Sequence, residues 1–150
     1  MKRFHFPLGR VLDWRRTQVR IEEAKLERAH AEVRRIQGEI EAVRTRQAEA
    51  ARALLQDGSA TGIELAAFSG FTRLAAEERA RLSAAAEAAR QRARRQAEAV
   101  VQSRQKVRPL EKLEDRQRAA WNIAFARQSD LDAEEAHLAR LAALRREPES

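Results

Sequence analysis

The sequence predicts an all-α fold, a two-helix antiparallel coiled-coil hairpin with an overlong second helix. Three observations carry that prediction. Aliphatic residues hold six of the seven positions spaced seven apart from Leu12 to Leu54. Gly (5) and Pro (3) are scarce, and one turn-like cluster, at 56–62, interrupts the helical pattern. A helix-starting signature follows that cluster at once, in Thr61-Gly62-Ile63-Glu64.

Residues 1–7 hold Phe4, Phe6 and Pro7, which predict an extended lead-in with Pro7 in the first turn of a helix. Helix one is expected over 8–56, about 73 Å at 1.5 Å per residue. Its seam is the row Leu12, Val19, Leu26, Val33, Ile40, Gln47, Leu54, with the companion row Arg15, Glu22, Ala29, Ile36, Val43, Ala50. A seven-residue apolar repeat held this long keeps one stripe facing a partner helix in a left-handed supercoil. Gly38 is the one weak point in the interior, costing about 1 kcal/mol against Ala.

A turn at 57–61 folds the chain back, with Thr61 as the cap of the next helix and Glu64 reaching back to the cap's amide. So short a connection makes the two helices antiparallel neighbours. Helix two is expected over 62–146, ending before Pro148. Its row, Phe68, Ala75, Leu82, Ala89, Gln96, Ser103, Leu110, Gln117, Ala124, Leu131, Leu138, is looser than that of helix one. Val100 and Val107 come from a neighbouring row, so the stripe is expected to drift. Pro109 has no amide for the carbonyl of Gln105, which predicts a kink or local loosening.

The helices are unequal in length. Leu54 is expected near residues 64–68 and Leu8 near residue 110. Leu26, Val33, Ile36, Ile40 and Val43 are expected to face residues 75–97. Beyond about 110 helix two overhangs, partly covered near 113–121 by Phe4 and Phe6. The overhang still holds Trp121, Ile123, Phe125, Leu131, Leu138, Leu141 and Leu144. Large apolar side chains on a helix without its own partner point to a binding surface.

The whole chain, 1–150, is read as a single coiled-coil hairpin domain. Its hydrophobic fraction of 43% includes 31 alanines, leaving enough bulk for a seam but not for a thick core. With no cysteine there is no disulfide framework. No apolar run suits a signal or a membrane span, so the protein is expected to be soluble and cytosolic. The net charge of +7 lies in the first two thirds, Lys+Arg outnumbering Asp+Glu by 13 to 8 over 1–56 and 10 to 6 over 57–108. Such an excess fits an acidic protein surface, a membrane face or nucleic acid.

No active site is legible. His5, His30 and His137 are too far apart to cluster, and Glu22-Glu23, Glu77-Glu78 and Glu134-Glu135 are helix neighbours that point in different directions. Residues 130–134 lack the Gly and closing Glu of a calcium loop, and 58–62 lack the Lys-Ser/Thr of a phosphate loop. The expectation is a non-enzyme with no cofactor and no metal. Arg90, Arg92, Arg94, Arg95 and Arg104 wrap around the helix with few aromatics between them, so nucleic acid is not the expected partner.

The residues at both ends resemble a known family. Phe4-His5-Phe6-Pro7-Leu8-Gly9-Arg10-Val11-Leu12-Asp13-Trp14-Arg15 is similar to the Phe-x-Phe-x-Leu-x-x-Val-Leu-x-x-Arg opening of the flagellar export protein FliJ family. Leu110-Glu111-Lys112-Leu113-Glu114-Asp115-Arg116 resembles that family's Leu-Glu-x-Leu-x-x-Arg segment. The stretch Leu131-Asp132-Ala133-Glu134-Glu135-Ala136 is similar to its closing Leu-Asp-Glu-x-Ala. Trp14, Trp121 and Pro109 depart from the pattern.

That resemblance implies a non-catalytic stalk of the flagellar type III export apparatus, an antiparallel coiled coil like the central stalk of rotary ATPases. It implies three partners: the export ATPase ring, the cytoplasmic domain of the export gate, and export chaperones. It also implies a cytoplasmic protein peripherally associated with the inner-membrane apparatus. Phe68-Ser69-Gly70-Phe71-Thr72-Arg73-Leu74-Ala75 resembles the family's aromatic-x-x-aromatic segment, which assigns the gate contact to Phe71, Leu74 and Ala75. The ATPase contact is expected around Trp121, Phe125, Leu131 and Leu138. Two alternatives stay open, a structural homodimer paired through 110–146 and a basic nucleic-acid-binding rod.

Overall fold

The computed structural model describes residues 2–56 and 58–146. It contains two α-helices, α1 (Gly9–Gln56) and α2 (Gly62–Arg146), paired as an antiparallel hairpin. Pro7 and Leu8 form the turn that leads into α1. There the Gly9 amide donates to the Phe6 carbonyl at 3.0 Å, and the Leu12 amide to Leu8 at 2.9 Å. Pro148, expected to stop α2, and Asp57, the first residue of the expected turn, lie outside the described residues.

The turn is built as its residues require. Gly58 has φ +62°, a left-handed conformation that a Cβ disfavours. Thr61 and Glu64 make the reciprocal capping box. The Glu64 amide donates to Thr61 Oγ1 at 3.2 Å, and the Thr61 amide donates to a Glu64 carboxylate oxygen at 3.1 Å. Two amides at the start of α2 that have no intrahelical acceptor are thereby satisfied.

Contacts divide the chain into two compact units, a turn unit of Gln18–Ser103 and a terminal unit of Met1–Thr17 with Arg104–Ser150. In the turn unit Ile36, Ala86 and Ala89 form a buried core, flanked by Val33, Ile40 and Leu82. The aliphatics of α1 therefore face the stretch of α2 that their spacing predicts. Gln96 hydrogen-bonds to Glu22, and Arg46 pairs with Glu78 at 3.5 Å, so residue numbers rise on one helix as they fall on the other. Ion pairs along α1 line its solvent side. Arg35 joins Glu32 and Glu39, which raises the guanidinium pKa through the Glu32 hydrogen bond first and lowers that of Glu32.

The expected drift of the α2 stripe does not occur. Arg79, Ala86, Ala93 and Val100 make a second row in step with Ala75, Leu82, Ala89 and Gln96, and all are buried or half-buried. Alternating steps of three and four along both rows give a regular coiled-coil seam. Alanines hid it, because a small side chain facing a partner helix looks in sequence like one facing water. With Leu12 and Val107 at heptad position a, Arg46 and Glu78 both fall at g. Such like-position pairing suits antiparallel helices. Arg79 is the exception in the seam, its Nε buried with no acceptor among the described residues.

In the terminal unit Phe6, Leu12 and Val107 are buried. Arg16 pairs with Glu111 at 3.1 Å, both at position e. The register expected here, Leu8 near residue 110, is therefore corrected, since the 110 level of α2 lies beside Arg16. An offset in the same direction is present where Arg46 pairs with Glu78 and where Ile36 packs with Ala86 and Ala89. Phe4 reaches Trp121, and the chain from Phe4 to Arg16 runs alongside α2 back to Glu111. α2 passes through Pro109 without interruption. Pro109 is exposed at position c, so the Gln105 carbonyl that it leaves without a donor lies on the side of the helix away from the seam.

Candidate partner-binding surfaces

Each unit leaves apolar surface open. In the turn unit the α2 seam begins at Phe68, which is half-buried, while residues 61–67 are all exposed. The following turn presents Phe71 at 37% and Leu74 at 60% exposure, and Leu55, Ile63 and Leu65 are exposed as well. Phe71 and Leu74 are one helical turn apart and so share a face. Ala75 does not join them. It was expected on the gate-binding surface, but it is 5% exposed and belongs to the seam row. The reason is angular, since Ala75 is seven residues after Phe68 and repeats its inward direction. The exposed aliphatics Leu55, Ile63 and Leu65 were missed by sequence reading. In the heptad frame Leu65 falls at seam position a and so reads as core, whereas Leu55 at b and Ile63 at f lie off the seam.

In the terminal unit an aromatic ladder closes the covered part of α2. Phe4 meets Trp121 edge-on, with centroids 6.1 Å apart and planes at 60°. Trp121 stacks on Phe125 at 5.0 Å and 18°. The guanidinium of Arg118 sits 4.7 Å over the Phe4 ring, a cation–π contact that holds the lead-in against the helix. The expected covering of Trp121 by the lead-in is thus made by Phe4, with Phe6 buried behind it.

Past this ladder the helix has no partner among the described residues. The row that is half-buried at Leu110 continues as Gln117, Ala124, Leu131 and Leu138, every one exposed. Leu131 and Leu138 stand at 53% and 63%, with Ile123, Leu141 and Leu144 exposed beside them. One of the two seam rows of α2 therefore continues past the described residues that cover it, while the other turns polar at Gln128 and Glu135.

Charged chemistry is spread thinly. The Glu22 carboxyl is held below its ordinary value of 4.5, first by the hydrogen bond from Gln96 and then by Lys25. That of Glu27 is lowered by the Arg34 guanidinium, 2.9 Å away. Among the described residues no group of three or more His, Asp or Glu is placed to hold a metal ion, and no helix is long and apolar enough to cross a membrane. Arg90 and Arg94 of the arginine-rich stretch both pair with Glu87, at 3.7 and 3.1 Å. Compared with family models, curated proteins and solved structures, the chain matches none.

Proposed function

We propose that this chain is a non-enzymatic stalk or coupling component of a flagellar type III protein export apparatus, bridging the export ATPase ring and the cytoplasmic domain of the export gate. The observation that carries this reading is the heptad row of α2 running on, uncovered, through Ala124, Leu131 and Leu138. A helix that keeps a seam pattern without an intramolecular partner is prepared for an intermolecular one. The resemblance of residues 4–15, 110–116 and 131–136 to the FliJ family points to the export machine as the source of that partner. On this reading Trp121, Phe125, Leu131 and Leu138 meet the ATPase, and Phe71 with Leu74 meets the gate. Export chaperones are further partners, and the protein is cytoplasmic and peripheral to the inner membrane.

A pull-down from the native cell tests the partners, and paired variants test the sites. Leu138→Asp should abolish stimulation of the ATPase with helicity unchanged, and Phe71→Ala should weaken gate binding alone. Failure to recover either partner would reject the reading. The same uncovered row favours a second reading, a homodimer joined through 110–146. Sedimentation equilibrium separates the two, because the stalk reading expects a monomer until its partners are added.

A further inference from the structure

In the paired stretch of the terminal unit, 2–17 with 104–121, carboxylates and exposed apolar surface are sorted by side. The carboxylates of 2–17 and 104–121 are Asp13, Glu111, Glu114 and Asp115. In the heptad frame of the seam they stand at b, e, a and b. None occupies c, f or g. Those positions carry Arg10, Lys106, Lys112 and Arg116, all exposed. The assignment of sides is fixed by the Arg16–Glu111 pair, which marks the e flank of both helices and leaves g as the opposite flank.

The acid-free side also holds the apolar residues of α1 that escape the seam. Val11 (g) and Trp14 (c) are exposed, with Leu8 (d) at the edge, spaced three residues apart along one face. Trp14 is 53% exposed, and its ring is covered on one side by the Arg15 guanidinium, 4.8 Å from the centroid. Burial in the fold does not account for these three, since the seam at this level is filled by Leu12 and Val107.

We propose that this side of the terminal unit, with Leu8, Val11 and Trp14 framed by Arg10, Lys106 and Arg116, docks onto an anionic lipid bilayer. A row of aliphatics ending in an outward indole matches the depth profile of a membrane interface, where hydrocarbon, ring and headgroup levels follow one another. Long cationic side chains at the rim reach phosphates while their stems lie along apolar surface. Each cation near such a surface strengthens binding about fivefold. A nucleic acid matches the charge but offers no apolar phase for Leu8 and Val11. An acidic protein would need a cleft for Trp14, which stands at the outward c position of a convex helix. The proposal is independent of the export reading, which uses other residues.

The test uses the full chain carrying Trp121→Phe, so that Trp14 is the sole indole, and vesicles of phosphatidylcholine with or without about one-third phosphatidylserine. The protein should float with the anionic vesicles and not with the neutral ones. Its emission should shift to the blue on binding, and the bound fraction should fall as salt rises. Trp14→Ser, and separately Arg10→Glu with Lys106→Glu, should each weaken binding at least about fivefold with helical circular dichroism unchanged. The proposal is overturned if anionic vesicles are not bound or if the Trp14 emission stays fixed. It is equally overturned if neither variant weakens binding, or if duplex DNA of equal charge binds more tightly than the vesicles.

Discussion

Gln96 donates from its side-chain amide to the backbone carbonyl of Glu22 at 3.0 Å and also to the Glu22 carboxylate, so two polar residues at facing seam positions satisfy each other. Among aliphatic layers, such a pair favours one alignment of the helices, because sliding by one heptad would separate the two groups and set one of them against an alanine, Ala29 or Ala89.

The first prediction follows from the Glu22 carboxyl being held below its ordinary value of 4.5 in the folded chain. A group whose folded pKa is lowered adds stability above the unfolded pKa, and that stability is lost as pH falls through the folded value. Melting curves of the native chain and of Glu22→Gln should therefore differ at neutral pH and converge below about pH 4. A gap that stays constant down to pH 3 would mean that the carboxylate charge is not what Gln96 recognises.

Gly38 is exposed in the interior of α1, and a Cβ added there meets nothing within 4 Å. Replacing it with Ala removes backbone freedom from the unfolded chain at no steric cost. Gly38→Ala should stabilise by about 0.5–1 kcal/mol, read as a higher urea midpoint at unchanged slope.

Loss of the cap should act at the turn. Thr61→Ala leaves the Glu64 amide without its acceptor and should cost about 1 kcal/mol in urea denaturation, while Thr61→Ser should restore most of it. Equal stability of the Ala and Thr proteins would show that water serves the amide as well as the hydroxyl does.

The aromatic ladder offers an optical check. In a Trp14→Phe background, the remaining indole is Trp121, packed between Phe4 and Phe125. Phe4→Ala, or deletion of residues 1–7, should expose it and move its emission to the red. Unmoved emission would place the lead-in elsewhere in solution.

Much of this molecule was legible in residue spacing. The α1 rows from Leu12 to Leu54 are buried or half-buried throughout, and the capping box formed at the residues that encode it. Both succeed because heptads and caps are local rules that tertiary context rarely overrides. The second α2 row escaped, since Ala86 and Ala93 carry no hydrophobic signal strong enough to mark a face. Register escaped for another reason. Arg16 lies beside Glu111, several residues from the pairing a short turn implies, and a heptad repeat does not report which heptad faces which. At the candidate surfaces spacing put Ala75 in the seam row while the family resemblance put it with Leu74 at the gate contact, and its burial agrees with the spacing. Leu8, Val11 and Trp14 became a surface only once the seam had fixed which flank of the helix is free of carboxylates.

The pairing of Ile36 with Ala86 and Ala89 makes the seam asymmetric between its two strands. On α1 the danger lies in shrinking a side chain, since Ile36→Ala would open a cavity and cost about 2–5 kcal/mol. On α2 it lies in growth, since Ala86→Leu would force the backbones apart at about 1–3 kcal/mol. A saturation mutagenesis map of this protein should therefore show two complementary tolerance profiles. At this layer bulk would be selected for on the first helix and against on the second, and swapping its residues between the helices should rescue what either change alone destroys.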